Sequence, residues 1–170
     1  MFIYKTKKFI LNNGSECKLV LPDRKYAEDI YKVIVDERLR LAKYLPWVMD
    51  MKSVEDEEQF LEYSIEKIHK EEMMMFIILV DENVAGMIDL HNINRSSKRA
   101  EVGYWLSEKF EGYGIMTQSV DIIEKYSFNE LKLHKLQIRV HSENYKSAGV
   151  PQRLGYFKEA TLVEHEVLNG

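Results

Sequence analysis

Residues 101–117 read EVGYWLSEKFEGYGIMT, and no other stretch restricts the fold as tightly. The first half alternates apolar and polar residues of aromatic and β-branched type, which predicts a strand ending near Leu106. The second half sets Gly112 and Gly114 just ahead of a long helical pattern. A glycine-rich turn between a strand and a helix leaves backbone N–H groups free, and the helix dipole adds positive potential there. Such a turn suits phosphate. It is not the three-glycine dinucleotide fingerprint, because Thr117 stands where the third glycine would be. Nor is it a Walker loop, since no Gly-Lys-Ser/Thr follows. Taken alone, two glycines fit a plain tight turn equally well.

The other periodicities place elements on both sides of this stretch. Residues 18–21 predict a first strand, stopped by Pro22. Asp23 caps a helix in which Ala27, Ile30, Tyr31 and Ile34 recur at helical spacing. The pattern resumes over residues 38–44 and breaks at Leu45-Pro46-Trp47, because the residue before proline is pushed out of the α region. Ser53 and Asp56 form a capping box before a stripe of Val54, Leu61, Ile65 and Ile68. The acidic run of residues 55–58 suits the helix dipole and reads as a solvated face.

Residues 73–80 are almost continuously apolar, as in a strand buried on both faces. Asp81-Glu82-Asn83 makes a turn, residues 84–93 return as the adjacent strand, and the polar residues 92–98 connect it to residues 99–106. Residues 114–131 predict the second long helix and residues 136–140 a strand. Asn144 caps a short helix that Gly155 ends, and residues 156–167 predict a further strand. The order is α+β, a mixed central sheet flanked by helices, in a single domain over residues 1–170.

Composition narrows the function. At 170 residues, 45% hydrophobic and 31% charged, the chain has the length for one proper core. A formal net charge of −4 argues against a nucleic-acid partner and leaves room for cationic substrates such as amines or basic peptides. Cys17 is the single cysteine, so no internal disulfide forms, and its strand-like setting reads as a structural thiol. No apolar run approaches a membrane span and the N-terminus lacks a signal-peptide core, so the reading is a cytoplasmic domain with no membrane partner. Five histidines without paired spacing predict no metal site.

Three blocks carry a resemblance. Gly103-Tyr104-Trp105-Leu106, followed by Glu111-Gly112-Tyr113-Gly114-Ile115-Met116-Thr117, resembles the acetyl-CoA-binding segment of the GNAT acetyltransferase superfamily. Asn144-x-x-Ser147-x-x-Val150-Pro151-x-Arg153-x-Gly155-Tyr156 agrees with it. Leu45-Pro46-Trp47 is similar to the tryptophan-bearing substrate loop of the RimJ/RimL branch, the ribosomal-protein N-terminal acetyltransferases. The blocks keep the family's order and spacing over nearly the whole chain. The resemblance implies the GNAT acyl-CoA N-acyltransferase fold, with acetyl-CoA as cosubstrate and no metal. It also implies direct transfer to a primary amine, that of a protein N-terminus of the ribosomal Ser/Ala type. The same architecture serves polyamines or antibiotics. A non-catalytic acyl-CoA-binding regulatory module is the rival from another class. Family members continue into another strand after Leu168-Asn169-Gly170, so the sheet is expected to lack its last strand. Its edge then favours pairing into a homo-oligomer.

Roles follow from the same resemblance. Main-chain groups of Tyr104, Trp105 and Leu106 would hold the pantetheine arm, which behaves like an added strand. The pyrophosphate would sit on the turn of Glu111, Gly112, Tyr113, Gly114, Ile115 and Met116, with Lys109 where the family prefers Gln or Arg. Asn144, an N-cap on its own reading, would also bond the pantetheine. The usual tyrosine acid is replaced by Pro151, and Ser147 is implied to meet the departing thiolate instead. Glu166 falls where the branch has its catalytic glutamate, while Glu101 could act through water. Trp47 would cover the acceptor amine. Outside the resemblance, His91 is a candidate base on the substrate side, though a strand-end histidine needs no function.

Overall fold

A computed structural model of the chain describes residues 5–168, so the end of the turn expected at residues 168–170 lies outside the described residues. Six strands form one sheet in sequence order: β1 Lys7–Ile10, β2 Glu16–Val20, β3 Met74–Val80, β4 Asn83–Asn94, β5 Arg99–Leu106 and β6 Lys135–Gln137. All neighbours are antiparallel except β5 and β6. The helices are α1 Ala27–Asp36, α2 Arg38–Ala42, α3 Val54–His69, α4 Ile115–Asn129 and α5 Tyr145–Arg153.

The central strand shows why its sequence is apolar throughout. Met74, Phe76, Ile78 and Val80 of β3 pack on one face with Ile115, Val120 and Ile123 of α4. Met75, Ile77 and Leu79 pack on the other with Ile30, Ile34 and Leu61 of α1 and α3. Side chains alternate across a strand, so a strand between two helical layers must be apolar at every position. At the start of α3 the capping box forms as expected. Ser53 Oγ accepts from the Asp56 amide at 3.2 Å, and Asp56 Oδ2 accepts from the Ser53 amide at 2.9 Å.

Four expectations are corrected. β1 is an added strand, four residues long and half lysine, with too little apolar pattern to stand out. The strand expected at residues 136–140 is the three-residue β6. Residues 156–167 form no strand. The Tyr156 amide closes the end of α5, and past it side chains tether the segment, Lys135 to Glu159 at 2.7 Å and Arg139 to Glu166 at 3.2 Å, while Phe157, Val163 and Val167 stand exposed. A strand needs a ladder partner for its backbone groups, and β6 is too short to provide one. Lastly, the acidic run is not a solvated face throughout, because Glu57 is 1% exposed. It lies one turn before the buried Leu61, on the apolar stripe of α3. Burial alone pushes its carboxyl up to about 7.

Candidate active site

The site begins where two parallel strands part. β5 pairs with β4 from Arg99 to Leu106, but with β6 only through Arg99, Ala100 and Glu101. Beyond Glu101 the strands diverge, and among the described residues the rest of β5 has no strand partner on that side. The Tyr104 side chain reaches across, its hydroxyl donating to the main-chain carbonyl of Ser147 on α5 at 2.9 Å. Ser147 Oγ donates back to the Tyr104 hydroxyl at 3.3 Å. Burial raises the Tyr104 pKa, opposed by its bond to Ser147, which keeps the proton on this pair.

Helix α5 is fixed at both ends. Asn144 Oδ1 accepts from the Ser147 amide at 3.2 Å, as an N-cap does, so its amide NH₂ is the end left for another partner. Gly155, with φ of 79°, closes the other end: its N–H bonds the Gln152 carbonyl and the next N–H bonds the Pro151 carbonyl, a Schellman motif.

The glycine turn leads from the free edge of β5 into α4. Gly112 and Gly114 have φ of 86° and 76°, the left-handed region that glycine enters without strain. A Cβ at Gly112 would meet no protein atom within 4 Å, so the space over the turn is open to a ligand. The first intrahelical bond runs from the Gln118 amide to the Gly114 carbonyl, which leaves the amides of Ile115, Met116 and Thr117 ahead of it. The side chains of Ile115 and Met116 are buried, so these residues offer a ligand their main chain only. That cradle fits a pyrophosphate.

Charged side chains brace the turn. Arg40 of α2 donates to the Leu106 carbonyl at 2.8 Å and to Glu111 Oε1 at 3.3 Å, and it pairs with Glu37. Lys146 of α5 holds the other Glu111 oxygen at 2.5 Å. Burial works to raise the pKa of Glu37. Hydrogen bonds from the Ser107 hydroxyl, the Glu108 amide and Arg40 outweigh it, and the carboxyl stays below its usual range. Lys109 is exposed on the short turn before Glu111.

A second cluster lies on the sheet face that carries α1 and α3. His91 Nδ1 bonds Asp89 Oδ1 at 2.5 Å, and His91 Nε2 stands 3.7 Å from Glu101 Oε2. Arg139, just past β6, donates to Glu101 at 3.0 Å and to Glu166 at 3.2 Å. The hydrogen bond to Asp89 raises the His91 pKa, with burial and Arg139 opposing and Glu101 assisting. Glu101 and Glu166, separate in sequence, therefore meet on one guanidinium, with His91 beside Glu101.

Trp47 sits on a 3-10 turn, Pro46–Met49, and is 37% exposed. Nearby, the Tyr44 ring lies 5.4 Å from that of His141, and its hydroxyl donates to the Glu143 carbonyl at 3.3 Å. The segment between α2 and α3 thus approaches the loop before α5. Sequence reasoning passed over Asp89, Arg139 and Arg40. Asp89 carried a legible signal, since two residues apart on a strand share a face. The arginines carried none, because their partners lie 38 and 66 residues away. Among the described residues no group of three or more His, Cys, Asp or Glu could hold a metal, and no helix is long and apolar enough to cross a membrane.

Known proteins share this architecture. The family model of the acetyltransferase (GNAT) domain matches residues 18–156. YdaF of Bacillus subtilis (strain 168), provisionally named a ribosomal N-acetyltransferase, is 38% identical over 93 residues, 55% of this chain and 51% of its own. The ribosomal-protein-serine acetyltransferase of Escherichia coli (strain K12) is 26% identical over 144 residues, 85% of this chain and 80% of that one. Spermidine N(1)-acetyltransferase of the same organism is 31% identical over 103 residues, 61% and 55% of the two chains. The matches thus span about half the length of YdaF and of the spermidine enzyme. The crystal structure of the microcin C7 self-immunity acetyltransferase MccE with acetyl-CoA and AMP is 29% identical with a TM-score of 0.84, covering 91% of this chain and 86% of that one. RimL, the ribosomal L7/L12 alpha-N-protein acetyltransferase, in complex with coenzyme A shares the fold at 24% identity and a TM-score of 0.87, over 91% and 87% of the chains.

An open β5 edge running into a glycine turn at a helix N-terminus, on this sheet, is an arrangement able to hold an extended acyl-CoA. The chain belongs to the acetyltransferase (GNAT) domain family.

Proposed function

We propose that the chain transfers the acetyl group of acetyl-CoA directly to the α-amine of a protein N-terminus, of the ribosomal Ser/Ala type, within a ternary complex. The observation that carries this reading is the free edge of β5 at Tyr104, Trp105 and Leu106, continuous with the amide cradle of Gly112 to Met116. The pantetheine arm pairs with that edge, one of its N–H groups polarises the thioester carbonyl, and the pyrophosphate rests on the turn. Asn144 offers its amide NH₂ to the arm.

Direct transfer is favoured over an acyl-enzyme. The single cysteine, Cys17, is fully buried and its thiol is pushed up to about 12, so it makes no nucleophile. On the other side of the thioester, Ser147 Oγ meets the departing sulphur, with the Tyr104 hydroxyl behind it. The acceptor arrives as an ammonium, drawn by Asp89, Glu101 and Glu166, and loses a proton to the cluster formed by Glu101, Glu166 and His91. Trp47 covers it from the α2–α3 side.

The same carboxylates favour a second acceptor class, a polyamine, whose charges they would also attract. Calorimetric titration with acetyl-CoA, paired with a thiol-release assay over Ser- and Ala-starting peptides and spermidine, tests both. Release on peptides supports the first reading, and release on spermidine alone supports the second. Binding without release on any amine would leave a regulatory acyl-CoA module.

A further inference from the structure

We propose that His91 Nε2 is the atom that takes the proton from the acceptor ammonium, and that Asp89 is the positioning residue that makes it able to. This rests on the acetyltransferase reading above and deepens it.

Asp89 and His91 are two apart on β4, so both side chains leave the same face of the sheet. Their opposite residues on β5 are Gly103 and Glu101. A Cβ at Gly103 would lie 2.9 Å from Asp89 Oδ2 and 3.2 Å from His91 Cε1. The missing side chain is therefore the floor on which this carboxylate and imidazole lie. That floor is one residue before Tyr104, where the free edge for the thioester begins.

The contacts also fix which nitrogen works. Asp89 accepts the Nδ1 proton, so the lone pair of the neutral ring is on Nε2. Nε2 is 3.7 Å from Glu101 Oε2, too far for a good hydrogen bond and near enough to stabilise an imidazolium. The charged groups facing the ring are Asp89 on β4, Glu101 on β5 and Arg139 past β6, with His165 and Glu166 behind Arg139. Glu101 and Glu166 are both already engaged by that guanidinium, whereas His91 Nε2 has no hydrogen-bond donor among the described residues.

The step balances simply. The ammonium gives one proton to Nε2, and the freed nitrogen pair forms the C–N bond to the thioester carbonyl carbon. The C–S bond breaks and sulphur leaves with its electron pair. A second proton from the nitrogen ends on sulphur, and the one on His91 passes to solvent.

The test uses the whole chain with histidine imidazoles labelled for NMR, the His91 resonance being assigned by its loss in His91→Asn. Asp89→Asn should lower the pH at which His91 titrates, and the acidic limb of the kcat/KM profile should move down with it. Asp89→Glu should recover part of both. His91→Asn should lower kcat about 100-fold, with acetyl-CoA affinity unchanged by calorimetry. Wild-type turnover in His91→Asn, or an acidic limb that stays in place while the His91 titration moves, would overturn the assignment and leave the acetyltransferase reading intact. Absence of turnover by the wild type on every amine would overturn that reading, and this inference with it.

Discussion

Arg40 donates to the main-chain carbonyl of Leu106 at 2.8 Å, so a side chain of α2 caps the last residue of β5. The same guanidinium holds Glu37, whose side chain is 12% exposed, and Glu111 at the head of the glycine turn. Arg40→Ala strands a nearly buried carboxylate and loosens the turn. We expect a loss of about 2 kcal/mol in urea denaturation and weaker acetyl-CoA binding by calorimetry. Arg40→Lys keeps the charge but loses the fork, and should recover only part of either.

Gly112 has room around it but a left-handed backbone, which separates two effects. Gly112→Ala should cost about 1 kcal/mol of stability with only a modest change in binding. Gly112→Trp should keep a folded protein by circular dichroism and lose most of its acetyl-CoA affinity, because the indole fills the approach to the amides. Unchanged affinity in the tryptophan variant would move the phosphate elsewhere.

Ser147 bonds Tyr104 twice, and only one of the two bonds uses the serine side chain. Ser147→Ala should therefore preserve the bridge from β5 to α5 and the binding of acetyl-CoA, while lowering kcat about tenfold or more. Tyr104→Phe removes both bonds. It should weaken cosubstrate binding as well, as read by calorimetry and steady-state kinetics on the same acceptor.

Glu166 is 55% exposed at its side chain and engaged by Arg139. Removing its charge with Glu166→Gln should lower turnover about threefold, on the scale of a screened surface charge, and leave acetyl-CoA affinity unchanged. A drop of about 100-fold would instead make it the proton acceptor.

Glu57 gives the stability curve a definite sign. Its carboxyl titrates near 7 in the folded chain against 4.5 for the free group, so between those values the folded state holds the extra proton. Stability must fall as pH rises through that window, by about 3 kcal/mol when complete. In Glu57→Gln that fall should vanish. Denaturation of both proteins at pH 5 and pH 8 measures it as a difference, in which His91 and every other group common to the two cancels.

Much of this was legible along the chain. The apolar run of β3, the capping box of α3 and the glycine turn each depend on residues close in sequence, and each formed where expected. What stayed hidden depends on distant partners. Residues 156–167 alternate well enough for a strand, yet their backbone finds no ladder beside a three-residue β6. Glu57 looked like one more charge in an acidic first turn, and only the packing of α3 against the sheet shows that its spacing from Leu61 turns it inward. At the site, the end of β5 and the glycine turn were readable as contiguous blocks. Glu101, Glu166 and His91 were singled out one by one, but Asp89 and Arg139, which join them into a cluster, converge on them from other places in the chain.

The parting of β5 from β6 after Glu101 has one more result. A sheet that stops pairing midway leaves part of its own folding energy to be supplied by whatever completes the ladder. The folded population therefore rises with the free concentration of that completing molecule, by about 2.7 kcal/mol at one hundred times its dissociation constant. On the proposal that the pantetheine arm is that completing strand, the protein is harder to unfold with acetyl-CoA bound than without it.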